Sequence, residues 1–321
     1  MKRLLITLIV CSAMCLPVTV AAKTTFLSIG TGGTGGVYYP YGGGLAEVWT
    51  KDVKGVKAVA EVTGASVENV KLAHRGETVV GMIMGDVAHQ AYRGVGKFDG
   101  KPQKVLAMAT MYPNVLQLVT LKGSGIKNVT DFAGKKISLG APGSGTAFMA
   151  DLVLKAIGVD TKSFDVSRLS FNETANALKD GTIDAGFWVV APGTSSIMDL
   201  ATTHDIEIIS FTPKQQKQVT DKYGFYASWD LDAGTYKGVD KPVPTISVWN
   251  VIIVQKDLPE DLVYQLSKSL FENNAFLMKI HPFAKYSVPE NAVGKTPIPL
   301  HPGAIRAIEE KGVSVPARLK P

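Results

Sequence analysis

The stretch Phe26 to Gly44, FLSIGTGGTGGVYYPYGGG, constrains the fold more than any other part of this chain. A short apolar run, Phe26 to Ile29, leads into glycines at 30, 32, 33, 35 and 36, and again at 42, 43 and 44. An apolar helical pattern follows, with Leu45, Ala46, Val48 and Trp49. This reads as strand, glycine loop and helix start. Without Cβ atoms in the way, backbone N–H groups can approach a ligand closely. The helix N-terminus beside them favours an anion.

Gly30-Thr31-Gly32-Gly33-Thr34-Gly35 fits the dinucleotide pattern G-x-G-x-x-G, which alone is a weak signal. A nucleotide fold wants an acidic residue at the end of the second strand, about 20 residues on. Glu61 lies about 30 on and is followed by Val62-Thr63, which argues against a dinucleotide site. Five glycines in seven positions also exceed what one tight turn requires. Cradling of an anion or carboxylate fits better.

The first residues, MKRLLITLIVCSAMCLPVTVAA, combine a basic start (Lys2, Arg3), an apolar core and a small-residue end at Ala22. They read as a secretory signal over 1–22, hence a periplasmic location. Both cysteines, Cys11 and Cys15, lie inside it, so no thiol chemistry is expected downstream. Losing Lys2 and Arg3 lowers the net charge from +6 to +4. There is no basic block, and nucleic-acid binding is not expected. No later run has the roughly 20 apolar residues of a membrane span.

Apolar runs alternate with amphipathic segments, the mark of an α/β fold. Strands are expected at Val56–Val62, Val79–Met84, Val105–Met111 and Val115–Leu121, the last two separated by Tyr112-Pro113-Asn114. Further strands are expected at Ile137–Gly140, Val166–Ser170, Ile183–Val190, Ile206–Ile209 and Thr245–Val254. Helices are expected at Val67–His74 (Ser66 as N-cap, Gly76 as stop), after Asp86, at Ala147–Ile157 and at Asn172–Leu178. Pro259–Ile280 reads as one long helix with Leu262, Leu266, Leu270, Ala275 and Leu277 near one face. Thr212 to Pro244 reads as mostly loop, with one helix at Pro213–Tyr223.

Ala141-Pro142-Gly143-Ser144-Gly145-Thr146 repeats the opening pattern of strand, glycine-hydroxyl loop and helix start. Two such units predict two α/β lobes, with crossings near Thr120 and Pro244. Lobe I would hold 23–120 and 245–321, and lobe II 121–244. Ser144 and Thr146 suit either helix capping or ligand contact. Tyr38 and Tyr39 either line the cleft or pack the lobe, and Trp188 either lines the cleft or packs in the core. Position 142 is proline, so the nucleophile pattern G-x-S-x-G is absent. His74, His89, His204, His281 and His301 show no metal-ligand spacing, and no cofactor or metal is expected. No arginine fork for a carboxylate stands out among Arg75, Arg93, Arg168, Arg306 and Arg318. Neutral donors dominate: backbone N–H groups with Thr31, Thr34, Tyr38, Ser144 and Thr146.

Taken in order, IGTGGTGGVYYPYGGGLA, ISLGAPGSGTAFMADLVLKAIGV and ALKDGTIDAGFWVVAPG resemble the TAXI family, the extracytoplasmic solute receptors of a subclass of TRAP transporters. The similarity spans nearly the whole chain after the signal. It implies a two-lobed fold like the type II periplasmic binding proteins, with a central cleft and a hinge. It also implies a small carboxylate ligand such as glutamate or 2-oxoglutarate, a TRAP permease as membrane partner, a monomer, and no catalysis. Carried over to this chain, Thr31, Gly32, Gly33, Thr34, Gly35, Gly36, Val37 and Tyr38 match the first ligand loop. Gly143, Ser144, Gly145 and Thr146 match the second. Asp86 follows the third strand, where relatives carry a polar turn, but here the turn reads Met84-Gly85-Asp86. A secreted enzyme or a sensory binding module on the same fold are the alternatives, and no nucleophile or acid/base pair supports the enzyme.

Overall fold

The computed structural model describes residues 24–321, so the expected signal at 1–22 lies outside the described residues. The chain opens with β1 (Thr25–Gly30), α1 (Tyr38–Asp52), β2 (Val56–Glu61), α2 (Ser66–Arg75), β3 (Val80–Met84) and α3 (Gly85–Arg93). Then come β4 (Val105–Leu121), β5 (Lys136–Ser138), α4 (Gly145–Ile157), β6 (Asp165–Ser167), α5 (Phe171–Lys179), β7 (Ala185–Val190) and α6 (Ser195–Thr203). The next elements are β8 (Ile206–Ile209), α7 (Pro213–Lys222), β9 (Tyr226–Leu231) and β10 (Val243–Gln255). The C-terminal helices are α8 (Glu260–Glu272), α9 (Asn274–Ile280), α10 (Pro289–Lys295) and α11 (Pro302–Glu310).

One ten-stranded sheet runs β2-β1-β3-β10-β4-β7-β5-β6, with β8 against β4 and β9 against β10. Its outer parts are parallel: β2-β1-β3 at one end and β7-β5-β6 at the other. Two long antiparallel strands join them. Strand β10 pairs with β9 over Val243–Val248 and with β3 over Asn250–Val254. Strand β4 pairs with β7 only from Val115 onward. Each long strand therefore belongs to one half of the molecule at one end and to the other half at the other. That is a two-lobed α/β fold. Thr120 and Pro244, where crossings are expected, lie within these two strands.

Four expectations are corrected. Tyr112-Pro113-Asn114 does not separate two strands. β4 continues through it, because the register slips between Trp249 and Val251 and Pro113 sits beside that irregularity. A bulge is where a strand tolerates a proline, which cannot donate to the ladder. The segment 259–280 is two helices broken at Asn273, and Ala275 is exposed rather than on the buried face. Strand β9 was hidden in a segment that reads as loop; its four middle residues are not buried, so it carries little apolar signal. Ser66 begins α2 rather than capping it, and Ala65 holds the cap position at φ 70°.

The second glycine group serves packing. A Cβ on Gly44 would lie 2.1 Å from Ile280 Cδ1, and one on Gly42 would lie 2.5 Å from Thr31 Cγ2. Small residues on this face let α1 lie close against α9 and the end of β1. Trp49 on the same helix is fully buried and donates from Nε1 to the Leu266 carbonyl at 3.0 Å.

Candidate functional site

A cavity of about 330 Å³ lies between the two lobes. Its first wall is the loop after β1, with Gly32, Gly33, Thr34, Gly35 and Gly36, running into Val37 and Tyr38 at the start of α1. Beside it lie Val62 to Ser66, the loop from β2 into α2, and Met84 at the end of β3. The opposite wall is Ala141 with Ser144, Gly145 and Thr146 at the start of α4, and Ser170, Phe171 and Asn172 at the start of α5. Asn114, Val189 and Val190, from β4 and β7, complete the lining. Four helix starts thus converge on one space.

The first loop uses its glycines for proximity rather than for turn geometry. No glycine from Gly30 to Gly36 is in the left-handed region. A Cβ on Gly35 would lie 2.1 Å from Asn172 Oδ1, across the cavity, whereas one on Gly33 would meet nothing within 4 Å. The two walls touch here. Asn172 Nδ2 donates to Thr34 Oγ1 at 3.3 Å, and Thr194 Oγ1 donates to the Gly35 carbonyl at 3.1 Å. Among the described residues, the loop's backbone bonds run from Thr31 N–H to the Glu61 carbonyl and from Gly36 N–H to the Gly33 carbonyl. The amides of Gly33, Thr34 and Gly35 have no protein acceptor there.

The helix starts differ in how they are capped. α1 and α2 have no side-chain cap. At α4, Ser144 Oγ accepts from Ala147 N–H at 3.0 Å and donates to the Ala141 carbonyl at 2.7 Å. α5 carries a full capping box between Ser170 and Glu173. Uncapped N–H groups must find a partner or remain unsatisfied. No Asp, Glu, Lys, Arg or His lines the cavity. An anion would be held by backbone amides and helix dipoles, each helix start contributing about 0.3–1 kcal/mol.

Beneath the cavity is a polar network. Tyr38 Oη donates to Asn250 Oδ1 at 2.6 Å, and Asn250 Nδ2 donates to Asn114 Oδ1 and to the Tyr112 carbonyl, each at 2.8 Å. Asn114 Nδ2 in turn reaches the Val189 carbonyl at 3.0 Å. The network fixes Tyr38 on α1 to the long strands β4 and β10. Burial pushes the Tyr38 hydroxyl well above the ordinary tyrosine range, so it stays a neutral donor. Ser66 Oγ accepts from Met84 N–H at 3.1 Å and Thr146 Oγ1 accepts from Val189 N–H at 3.4 Å. As acceptors in these bonds, both hydroxyls keep a proton to donate.

Ten of the expected site residues line the cavity: Gly32 to Tyr38 and Ser144 to Thr146. Four do not. Thr31 is fully buried, its hydroxyl donating to the Glu61 carbonyl at 2.6 Å. Gly143 lies just outside, accepting from Val67 N–H at 3.0 Å. Trp188 is a core residue that donates to Ser196 Oγ at 3.1 Å and stacks behind Phe171 at a centroid distance of 6.0 Å. Asp86 is buried with its carboxylate turned to Tyr226 Oη at 2.7 Å and to Val87 N–H at 2.7 Å. Burial drives its pKa from 3.8 up to about 7, only partly offset by those hydrogen bonds. The loop Val62–Ser66, Asn114 and Ser170–Asn172 were missed. Ser170-x-x-Glu173 is a readable capping box, and Thr63-Gly64-Ala65-Ser66 a readable strand-to-helix loop.

The NMT1-like family model matches residues 29–312 of the chain. The chain belongs to the NMT1-like family. Solved structures similar to this NMT1-like chain include a putative L-cystine ABC transporter protein from Listeria monocytogenes, at 16% identity and a TM-score of 0.52 over 82% of this chain and 98% of that one. A protein from Bordetella bronchiseptica RB50 has 19% identity and a TM-score of 0.53, covering 91% of this chain and 90% of that one. A protein from Xanthomonas citri, solved bound to ATP, has 12% identity and a TM-score of 0.53 over 89% of this chain and 95% of that one. At such identities the likeness is one of fold, and it agrees with the two-lobed α/β architecture.

Proposed function

We propose that this chain is an extracytoplasmic solute receptor that encloses a small organic anion between its lobes and passes it to a membrane permease. One observation carries the reading: the uncapped starts of α1 and α2 face a cavity that holds no charged side chain. The ligand carboxylate would sit on the Gly33–Gly35 amides and these helix starts, with Ser66 and Thr146 as hydroxyl donors. The apolar faces of Val37, Met84, Phe171 and Val189 would cover its carbon body. Burying the carboxylate away from water strengthens every such hydrogen bond. The lobes would be 23–120 with 245–321, and 121–244, moving about β4 and β10, and the receptor would act as a monomer without catalysis.

The test is isothermal titration of the protein lacking residues 1–22 against glutamate, 2-oxoglutarate and C4-dicarboxylates. Saturable binding of at least one is expected; failure of every organic acid would remove the ligand assignment. For the permease, the motif resemblance to TAXI receptors supports a TRAP partner driven by an ion gradient. An ABC permease is the second reading, favoured by the likeness in fold to the putative L-cystine ABC transporter protein from Listeria monocytogenes. Uptake into vesicles holding the receptor's own permease separates the two. A TRAP partner needs an ion gradient and no ATP, and an ABC partner the reverse.

A further inference from the structure

A second cleft, of about 730 Å³, lies between α3, β9, β10 and the C-terminal segment. It shares a wall with the first cavity, since Met84 lines one and its neighbour Gly85 lines the other. Its apolar surface is aromatic. Tyr223 and Phe225 stack at 5.8 Å with only 12° between their planes, and Trp249 on β10 also lines the cleft. Its charges are all positive: Lys222, Lys295 and Arg318 line it together with His89, and no Asp or Glu does. None of these three cations has a carboxylate partner among the described residues. Lys222 Nζ lies 5.6 Å from the Tyr223 ring centre and Lys295 Nζ 5.6 Å from the Trp249 ring centre. The two lysines are thus positioned over ring faces, while Arg318 donates from Nη2 to the Val293 carbonyl at 3.0 Å. Two carboxyls adjoin lining residues in sequence: Asp86 is buried and bonded to Tyr226 and Val87, and Asp221, beside Lys222, pairs with Lys217 at 2.8 Å.

We propose that this second cleft is a binding site for a planar aromatic anion. The rings meet an aromatic ligand edge-on where a lysine or a second ring already covers their faces, cations without a carboxylate partner neutralise its acidic group, and the cleft has the size of small-molecule sites in general, about 300–1,000 Å³. This goes beyond the receptor reading and does not rest on it. The first cavity has the opposite design, with neutral donors and no cations.

The test titrates the protein with two aromatic anions, 2-naphthoate and adenosine 5′-monophosphate, against the neutral analogues 2-naphthol and adenosine. At least one anion binds saturably, with its neutral analogue at least about tenfold weaker, as expected where a cation is worth about 1.4 kcal/mol. Comparing the two anions tells a carboxylate site from a phosphate site. The double variant Lys222→Glu/Lys295→Glu, both exposed positions, lowers that affinity at least about tenfold, and Trp249→Phe changes the fluorescence response to the probe. Absence of saturable binding by both anions, equal binding of the neutral analogue, or an affinity indifferent to the double variant would each overturn the proposal. An anion bound in the first cavity gives that last result.

Discussion

The wall built from residues 32–66 and the wall built from residues 141–172 present helix starts to the same cavity, yet they treat them in opposite ways. On the first wall α1 and α2 start without side-chain caps. On the second, Ser144 caps α4 and Ser170 with Glu173 caps α5. A helix start closed by its own side chain is satisfied whether or not anything is bound. One left open must find a partner elsewhere: Val67 N–H of α2 already has the Gly143 carbonyl of the second wall at 3.0 Å, and the remaining first-turn donors gain one only on binding, or from water. On the proposed receptor reading the difference divides the labour: the first wall would supply most of the free backbone donors for an anion, and the second a preformed surface with the Thr146 hydroxyl.

The largest expected effect concerns Asp86, a carboxylate in the first turn of α3 just after β3, which turns away from the cavity. Asp86 is raised from 3.8 to about 7 by burial. Below about pH 4 both folded and unfolded chains hold this proton, so nothing is lost. Between about 4 and 7 the unfolded chain releases it and the folded chain retains it, so stability falls as pH rises through the window. Three units correspond to about 4 kcal/mol. Asp86→Asn is expected to remove this slope and, after losing about 1 kcal/mol in one hydrogen bond, to be about 3 kcal/mol more stable than the parent at pH 7. Urea midpoints at pH 4.5 and 7 measure it. An unaltered slope would mean that Asp86 is ionised in the folded protein. Ligand affinity should be unchanged if, as proposed, the open helix starts and not this acid hold the anion.

Next is the contact between the walls. A Cβ on Gly145 would lie 2.3 Å from Met84 Sδ and 2.6 Å from Ser66 Oγ, and Ser66 is only 1% exposed. Gly145→Ala should hold α4 off α2 and weaken ligand binding by about 1–3 kcal/mol, or about five- to 150-fold, the usual cost of overpacking. Titration decides, and a dissociation constant within twofold of the parent would show that the bound state needs no such approach. On the first wall, Ala65 sits at φ 70°, ψ −141°, a conformation that suits only glycine. Ala65→Gly should relieve strain and raise stability by about 1 kcal/mol, net of the entropy glycine adds to the unfolded chain. A lower unfolding midpoint would dismiss the strain.

The first wall was legible because its means of binding is a lack of side chains, which a sequence displays as glycine. The second was legible at Gly143-Ser144-Gly145-Thr146 for the same reason. What stayed hidden depends on contacts distant in the chain. Asn114 looks like part of a turn until Asn250 on β10 is seen to bond it, 136 residues later. Phe171, just before the helix expected at Asn172–Leu178, carries no sign of facing the cavity until Trp188 is seen behind it. Asp86 was placed in the site by its position after β3. The alternation that decides which way a side chain at a strand-to-helix junction points was not readable, and Tyr226, which turns it away, lies on the one strand that read as loop.

Ser144 gives the smallest effect and the finest test of the two walls. The sequence leaves its hydroxyl either a cap or a ligand contact, and in the structure both of its hydrogen-bonding roles are filled within its own loop. If the second wall is satisfied without ligand, Ser144→Ala should cost about 1 kcal/mol of folding stability through the lost cap. Affinity should then change by no more than about twofold, since the hydroxyl proton is given to Ala141 and not to the anion. A loss of about tenfold in affinity with little change in unfolding midpoint would reverse the assignment. It would mean that Ser144 gives up its cap on binding, and that both walls, rather than the first alone, open their helix starts to the ligand.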